Sequence, residues 1–183
     1  MHKKTLWITQ TAVMLALLIT AQWVTSYIPK PAGQFVTGSF VNAILAVTVL
    51  VCGLSSGVTV SLISPIFACV LGIAPNVVAV PAIMAGNAAF VLTLHFLTDT
   101  KLWRQIVAWV VAAVLKFGVL YLLVVQLICG ALSEWLLEAE LMKKPMVAMM
   151  TASFGWPQLV TALIGGCVAW MMTPILKKAL AKF

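Results

Sequence analysis

Charge is what this chain has least of. Asp and Glu together number 4 among 183 residues, and charged residues of either sign make up 8%, against about 25% in an ordinary soluble domain. A soluble surface cannot be assembled from so few ionised groups. With 63% hydrophobic residues and a mean hydropathy of +1.14, the composition predicts an all-α integral membrane protein forming a single membrane domain over 1–183. Other absences narrow the function. No G-x-x-x-x-G-K-[ST] loop occurs, so no cofactor is expected in this chain, and any ATP is used by partner subunits. Cys52, Cys69, Cys129 and Cys167 stand singly in apolar runs, without C-x-x-C spacing. They read as small packing residues, with no metal site. The formal charge of +7 is spread over loop ends rather than gathered on one face, so no nucleic acid is expected and the charge reads as topology.

Six apolar segments are delimited by Pro, Gly and charge: 6–28, 39–52, 56–73, 77–97, 104–129 and 151–176. The second is short for a crossing, which needs about 20 residues. The first begins like a signal peptide, but its apolar part is long for one and no A-x-A site closes it, so it is kept as a spanning helix. Six crossings put both termini on one side, together with Lys3, Lys4, Lys101, Arg104, Lys177, Lys178 and Lys182, leaving Lys30, Lys143 and Lys144 opposite. By the positive-inside rule the termini are cytoplasmic. The links 29–38, 74–76 and 130–150 are then external, and 53–55 and 98–103 internal. In the last external link, SEWLLEAELMKK (133–144) predicts a short helix capped by Ser133 and stopped before Pro145, lying on the membrane surface or over a cavity mouth as a lid.

Small residues recur at helical spacing: Ala12 and Ala16 in the first segment, Gly57, Ser61, Ser64, Ala68 and Gly72 in the third, and Ala162, Gly165, Gly166 and Ala169 in the last. Such faces let helices approach closely in lipid, within this chain or against another membrane protein. Gly53-Leu54-Ser55-Ser56-Gly57 matches G-x-S-x-G, a nucleophile motif when it forms a strand-to-helix elbow near a His and an acid. Here it lies in a tight turn between two apolar segments, with His95 and Asp99 on the same side, which leaves an intramembrane serine hydrolase as a minor alternative.

The sharpest chemical feature is Lys116, within the fifth segment and roughly 18 Å along the helix axis from Arg104 at 1.5 Å per residue. An ionisable group at that depth marks a functional cavity. All four acidic residues, Asp99, Glu134, Glu138 and Glu140, lie in links, so no helix-borne carboxylate can neutralise it; unless a glutamate of the last external link reaches inward, the lysine is either neutral through burial or awaits an anion. The outer half of the bundle also collects amides and aromatics: Gln22 and Trp23, Gln34, Asn42, Asn76, Asn87, Gln126, and Trp156 with Gln158. Groups of this kind orient a ligand in a pocket. Lys116, Asn87, Asn76, Gln34, Gln126, Trp156, Gln158 and Asn42 are therefore the candidate solute-binding residues, with Lys116 at the floor meeting a carboxylate or phosphate.

A small six-helix chain with cytoplasmic termini, Ala12-x-x-x-Ala16 in the first helix, long external first and last links and a polar outer half resembles the substrate-binding S component of an energy-coupling factor (ECF) vitamin transporter. The stretch QFVTGSFVNAILAVTVLVCGLSSGVTVSLISPIFACVLGIAP (34–75) is similar in character to that family's second and third helices. The resemblance implies a bacterial cell-membrane protein, not an enzyme, that captures a vitamin or related small organic solute outside. It implies that Ala12 and Ala16 dock on a membrane coupling subunit driven by two ATPase subunits. It also implies solute contacts from the fourth to sixth helices and the external links, which include Gln34, Asn76, Asn87, Lys116, Gln126, Trp156 and Gln158. The alternative is a self-sufficient small-solute transporter or channel.

Overall fold

The computed structural model describes residues 3–180. It is all-helical over those residues, running α1 Lys3–Thr25, α2 Ala32–Val47, α3 Leu54–Val70, α4 Val80–Leu97, α5 Leu102–Leu120, α6 Ser133–Glu138, α7 Lys144–Phe154 and α8 Trp156–Leu180. Two helices extend into wider π turns, α2 through Thr48–Cys52 and α5 through Tyr121–Ala131. Lys182, counted above for topology, lies outside the described residues.

Five helical runs are long and apolar enough to cross a membrane: Lys4–Thr25, Ala32–Cys52, Val77–Leu97, Leu102–Ala131 and Trp156–Ala179. This corrects the sequence expectation at two elements. The second segment, expected to be short, is a full-length helix because the chain from Ala32 to Gly38 is helical rather than a loop. The third falls short instead: α3 has 17 residues, about 26 Å at 1.5 Å per residue, against a hydrocarbon core of about 30 Å. Between them the chain turns at Gly53, whose φ of 90° is a backbone conformation that suits a residue without Cβ.

The core joins Leu18, Leu45, Val60, Phe90, Ala112 and Ala162, from α1 to α5 and α8. Its closest contacts are made where glycine permits them. A Cβ on Gly165 of α8 would lie 2.5 Å from Asn42 Cβ and 2.7 Å from Ser39 O of α2, and one on Gly38 would lie 2.9 Å from Thr161 Cγ2. The α2 and α8 axes therefore approach over two turns, running in the same direction. Thr11 Oγ1 donates to Ser56 Oγ at 2.8 Å, the buried polar contact between α1 and α3.

A second cluster, with Ala79, Leu120, Val124, Leu136, Met150 and Phe154, sits beneath the last long link. That link is not the single helix expected over 133–144. α6 stops at Glu138, Glu140 takes a positive φ of 55°, and a separate α7 starts at Lys144. Ser133 does not cap the helix through its side chain: its hydroxyl donates to Gly130 O. Leu136 and Met142 are buried, so this segment packs down onto the π end of α5.

Candidate functional site: a lysine-floored cavity

Lys116 is 3% exposed, and its Nζ donates to Asn42 Oδ1 of α2 and Asn87 Oδ1 of α4, both at 2.6 Å. Such short contacts are characteristic of charge-assisted hydrogen bonds. The ring of the fully buried Phe90 lies 5.5 Å from Nζ, and its face adds a further favourable electrostatic contact. The lysine makes no contact with an acid: the ion pair among the described residues joins Arg104 to Asp99, in the α4–α5 link. With Nζ as donor to both asparagines, each amide turns its oxygen to the lysine and its nitrogen away. Asn42 then turns Nδ2 to Thr161 Oγ1 at 3.3 Å, and Asn87 Nδ2 donates to no group among the described residues.

These three side chains close the floor of a cavity of about 320 Å³, near the lower end of the range for small-molecule sites. Its walls divide by character. α1, α2, α7 and α8 present Gln22, Thr25, Gln34, Thr37, Ser153 and Gln158, while α3, α4 and α5 present Pro65, Ala68, Ile83 and Leu120. Most of the polar wall is already paired. Gln34 Nε2 donates to Ser153 O at 2.8 Å and Ser153 Oγ donates back to Gln34 Oε1 at 3.1 Å. Thr37 donates to Thr25 and Gln158 to Ser153 O.

Of the eight residues proposed from sequence, Lys116, Asn42, Asn87, Gln34 and Gln158 come together around this cavity. The other three do not line it. Asn76 caps the turn before α4, accepting from Val78 N at 3.0 Å and donating to Leu141 O at 2.9 Å, so it braces two links. Gln126 is exposed on the π-helical extension of α5 and donates to Tyr121 five residues earlier, a spacing that π turns bring onto one face. Trp156 is 65% exposed and packs on Phe35 with ring centres 5.5 Å apart. Gln34 itself is helical rather than in a loop, and α7, through Ser153 and Phe154, contributes to the cavity mouth where α6 was expected.

Gln22, Thr25, Thr37 and Ser153 line the cavity without having been among those eight. Gln22 stood near the outer end of the first segment, and its depth was the available signal. The threonines and Ser153 carried none, since Thr and Ser in apolar helices ordinarily bond to the preceding turn, as Thr25 does to Ala21 O.

A second cavity, about 880 Å³, lies at the opposite end of the bundle, between the α4–α5 link and the last turns of α8. Trp109 stands on its wall, its ring against Gly166, where a Cβ would come within 1.9 Å. Its Nε1 donates to Ala162 O at 3.3 Å. Ser55 begins α3 in a helix-to-helix turn, not on a strand elbow, and has no hydrogen bond with His95, whose ring packs on Phe96. Compared with known protein families, with curated proteins and with solved structures, the chain shows no match.

Proposed function

We propose that this chain is the substrate-binding S component of an ECF-type uptake transporter and captures a small anionic organic solute, vitamin-like in size, on the outer side of a bacterial cell membrane. One observation carries the reading. A buried lysine with amide partners and no acid forms the floor of a polar-walled cavity, and an ammonium so placed attracts an anion while disfavouring cations and uncharged solutes of the same shape. Energy would come from two ATPase subunits acting through a membrane coupling subunit.

The test is the solute affinity of Lys116→Met. Breaking a charge-assisted hydrogen bond to a bound anion is worth about 1.5–3 kcal/mol, so affinity should fall about ten- to a hundred-fold in isothermal titration of the purified chain. Unchanged affinity would refute the anion-binding role.

The cavity at the opposite end favours a second reading, a self-sufficient transporter in which the Trp109–Gly166 contact separates two half-pathways. Purified chain reconstituted alone in liposomes distinguishes the two. Uptake without partners supports self-sufficiency, and binding without uptake supports the S component.

A further inference from the structure

Charge in the lining of the lysine-floored cavity is of one sign. Among the described residues that line it, Lys116 and Lys30 are the ionisable ones, and no acid accompanies them. The two lysines stand at opposite ends. Lys116 is at the floor with Asn42 and Asn87, whereas Lys30 belongs to the link before α2, which starts at Ala32. Its Nζ donates to Met149 Sδ of α7 at 3.5 Å, one helical turn from Ser153, which bonds to Gln34 at the mouth. From Gln34 to Asn42 is eight residues of α2, so mouth and floor lie roughly 12 Å apart at 1.5 Å per residue.

Neither end is fully engaged. Lys116 gives two hydrogen bonds to asparagine oxygens, which leaves one N–H of the protonated amine for an occupant. Asn87 Nδ2 is a second donor at that level. It has no partner among the described residues and is not sealed from solvent; with the residue as a whole 2% exposed, that opening is to the cavity it lines. Lys30 is held more loosely still. A thioether is a weak acceptor, the lysine is exposed, and the ion pair among the described residues lies elsewhere, between Arg104 and Asp99. Just outward of the floor the wall is aliphatic, with Ile83 one turn from Asn87 and Leu120 one turn from Lys116.

On the reading that this cavity binds a solute, we infer that the solute is a dianion, an elongated molecule with a carboxylate at each end and an apolar stretch between. The inner carboxylate takes one oxygen to Lys116 and the other to Asn87 Nδ2, and the outer one draws Lys30 away from Met149. Two donors at the floor match the two oxygens of a carboxylate and leave a third phosphate oxygen bare. A monoanion neutralises one lysine and a dianion both, so Lys30 is the residue that tells them apart. It does so modestly, because an exposed ion pair is worth up to about five-fold in affinity.

The experiment uses the full chain purified from membranes of its expression host. Retained small molecules are identified by mass spectrometry, and straight-chain dicarboxylates and their mono-amides serve as probes beside them. Affinities are measured by isothermal titration for wild type, Lys30→Gln, Lys30→Arg and Lys116→Met, at salt concentrations of about 0.01 M and about 1 M, where charges are screened over about 30 Å and about 3 Å. The retained solute should carry two carboxylates. Lys30→Gln should bind it about three- to five-fold more weakly at low salt and as well as wild type at high salt, with Lys30→Arg close to wild type throughout. The mono-amides, which lack the second charge, should bind wild type and Lys30→Gln alike. A retained solute with a single anionic group, or equal low-salt affinity of wild type and Lys30→Gln, would overturn the dianion, while weakened binding by Lys116→Met would keep the anion-binding reading. Undiminished binding by Lys116→Met would sink that reading itself, and folded chain that holds neither a retained solute nor any probe would remove both.

Discussion

At the scale of single residues, the central arrangement is a buried lysine Nζ held by two side-chain amides. Removing a lysine from water costs several kcal/mol, and Asn42 and Asn87 return part of that through short hydrogen bonds to Nζ. The two asparagines are consequently more than ligand contacts. Asn87→Leu should lower stability by about 1.5–3 kcal/mol, read as a fall in the thermal midpoint of the detergent-solubilised protein. Combining it with Lys116→Met should cost less than the sum of the single changes, since the double variant leaves no uncompensated charge. Strict additivity would argue against the coupling. The depth of Lys116 and Asn87 could be read from sequence because each sits within a regular apolar run, where distance from the helix end gives height. That of Asn42 could not, because α2 begins at Ala32, seven residues before the expected start at Ser39. Nor could the positions of Gln126 and Trp156. Gln126 follows the onset of π turns at Tyr121, which shifts the direction of every later side chain relative to a 3.6-residue repeat. Trp156 begins a new helix after the break at Gly155. Whether Gln22 has a partner depends on residues distant in sequence and leaves no local trace.

At the scale of elements, glycine determines how closely the cavity-forming helices meet. Gly165 lets α8 press against the backbone of α2 at Ser39 and Ala43 beside Asn42, so the height and direction of Asn42 depend on a residue that touches no solute. Gly165→Val should push α2 outward, at a cost of about 1–3 kcal/mol of overpacking, and should weaken solute binding although the cavity lining is untouched. Thermal unfolding and titration together check this; intact affinity would mean that Asn42 does not depend on the α2–α8 approach. The small-residue stripes did announce close packing, and Gly57, Gly165 and Gly166 all lie against neighbouring side chains. The exact limits of α2, α3 and α6 were not legible. Gly33 and Gly38 resemble loop residues in isolation, yet each is a helical position where α2 passes close to Ile28 or Thr161. The α6 helix ends early because Leu136 and Met142 turn inward together, a demand of tertiary packing rather than of propensity.

At the scale of the whole molecule, the bundle has two unlike ends and one unlike face. Lys101, Arg104, Lys177 and Lys178 gather around the end that carries the larger cavity, while the lysine-floored cavity opens among the links at the other. Ala12 and Ala16 are exposed on α1, so neither is used to pack the bundle, as would be expected if they served only this chain's own fold. In the proposed complex they contact the coupling subunit. Replacing both with Leu should then abolish uptake in cells expressing the partner subunits, with solute affinity of the purified chain within about two-fold of wild type. Lost affinity would assign them to the fold, and undiminished uptake would remove them from the docking surface. Membrane character, an all-helical fold and the general location of the polar pocket were legible from composition and charge placement, because the bilayer imposes long apolar runs. The shortness of α3 was not, since Leu71 and Ile73 extend its apolar pattern past Val70, where the helix ends.

The grip of Asn42 and Asn87 on Lys116 also sets a length scale. Two helices locked into the core hold Nζ at one height, so the bottom of the cavity does not give when a longer molecule enters. A solute anchored there by its charge is measured by the length of cavity above that fixed point. In a series of linear carboxylates competing with the solute that co-purifies, affinity should rise by up to about 0.8 kcal/mol per methylene until the chain fills the cavity, and then decline. A flat dependence on chain length would mean that the floor is soft.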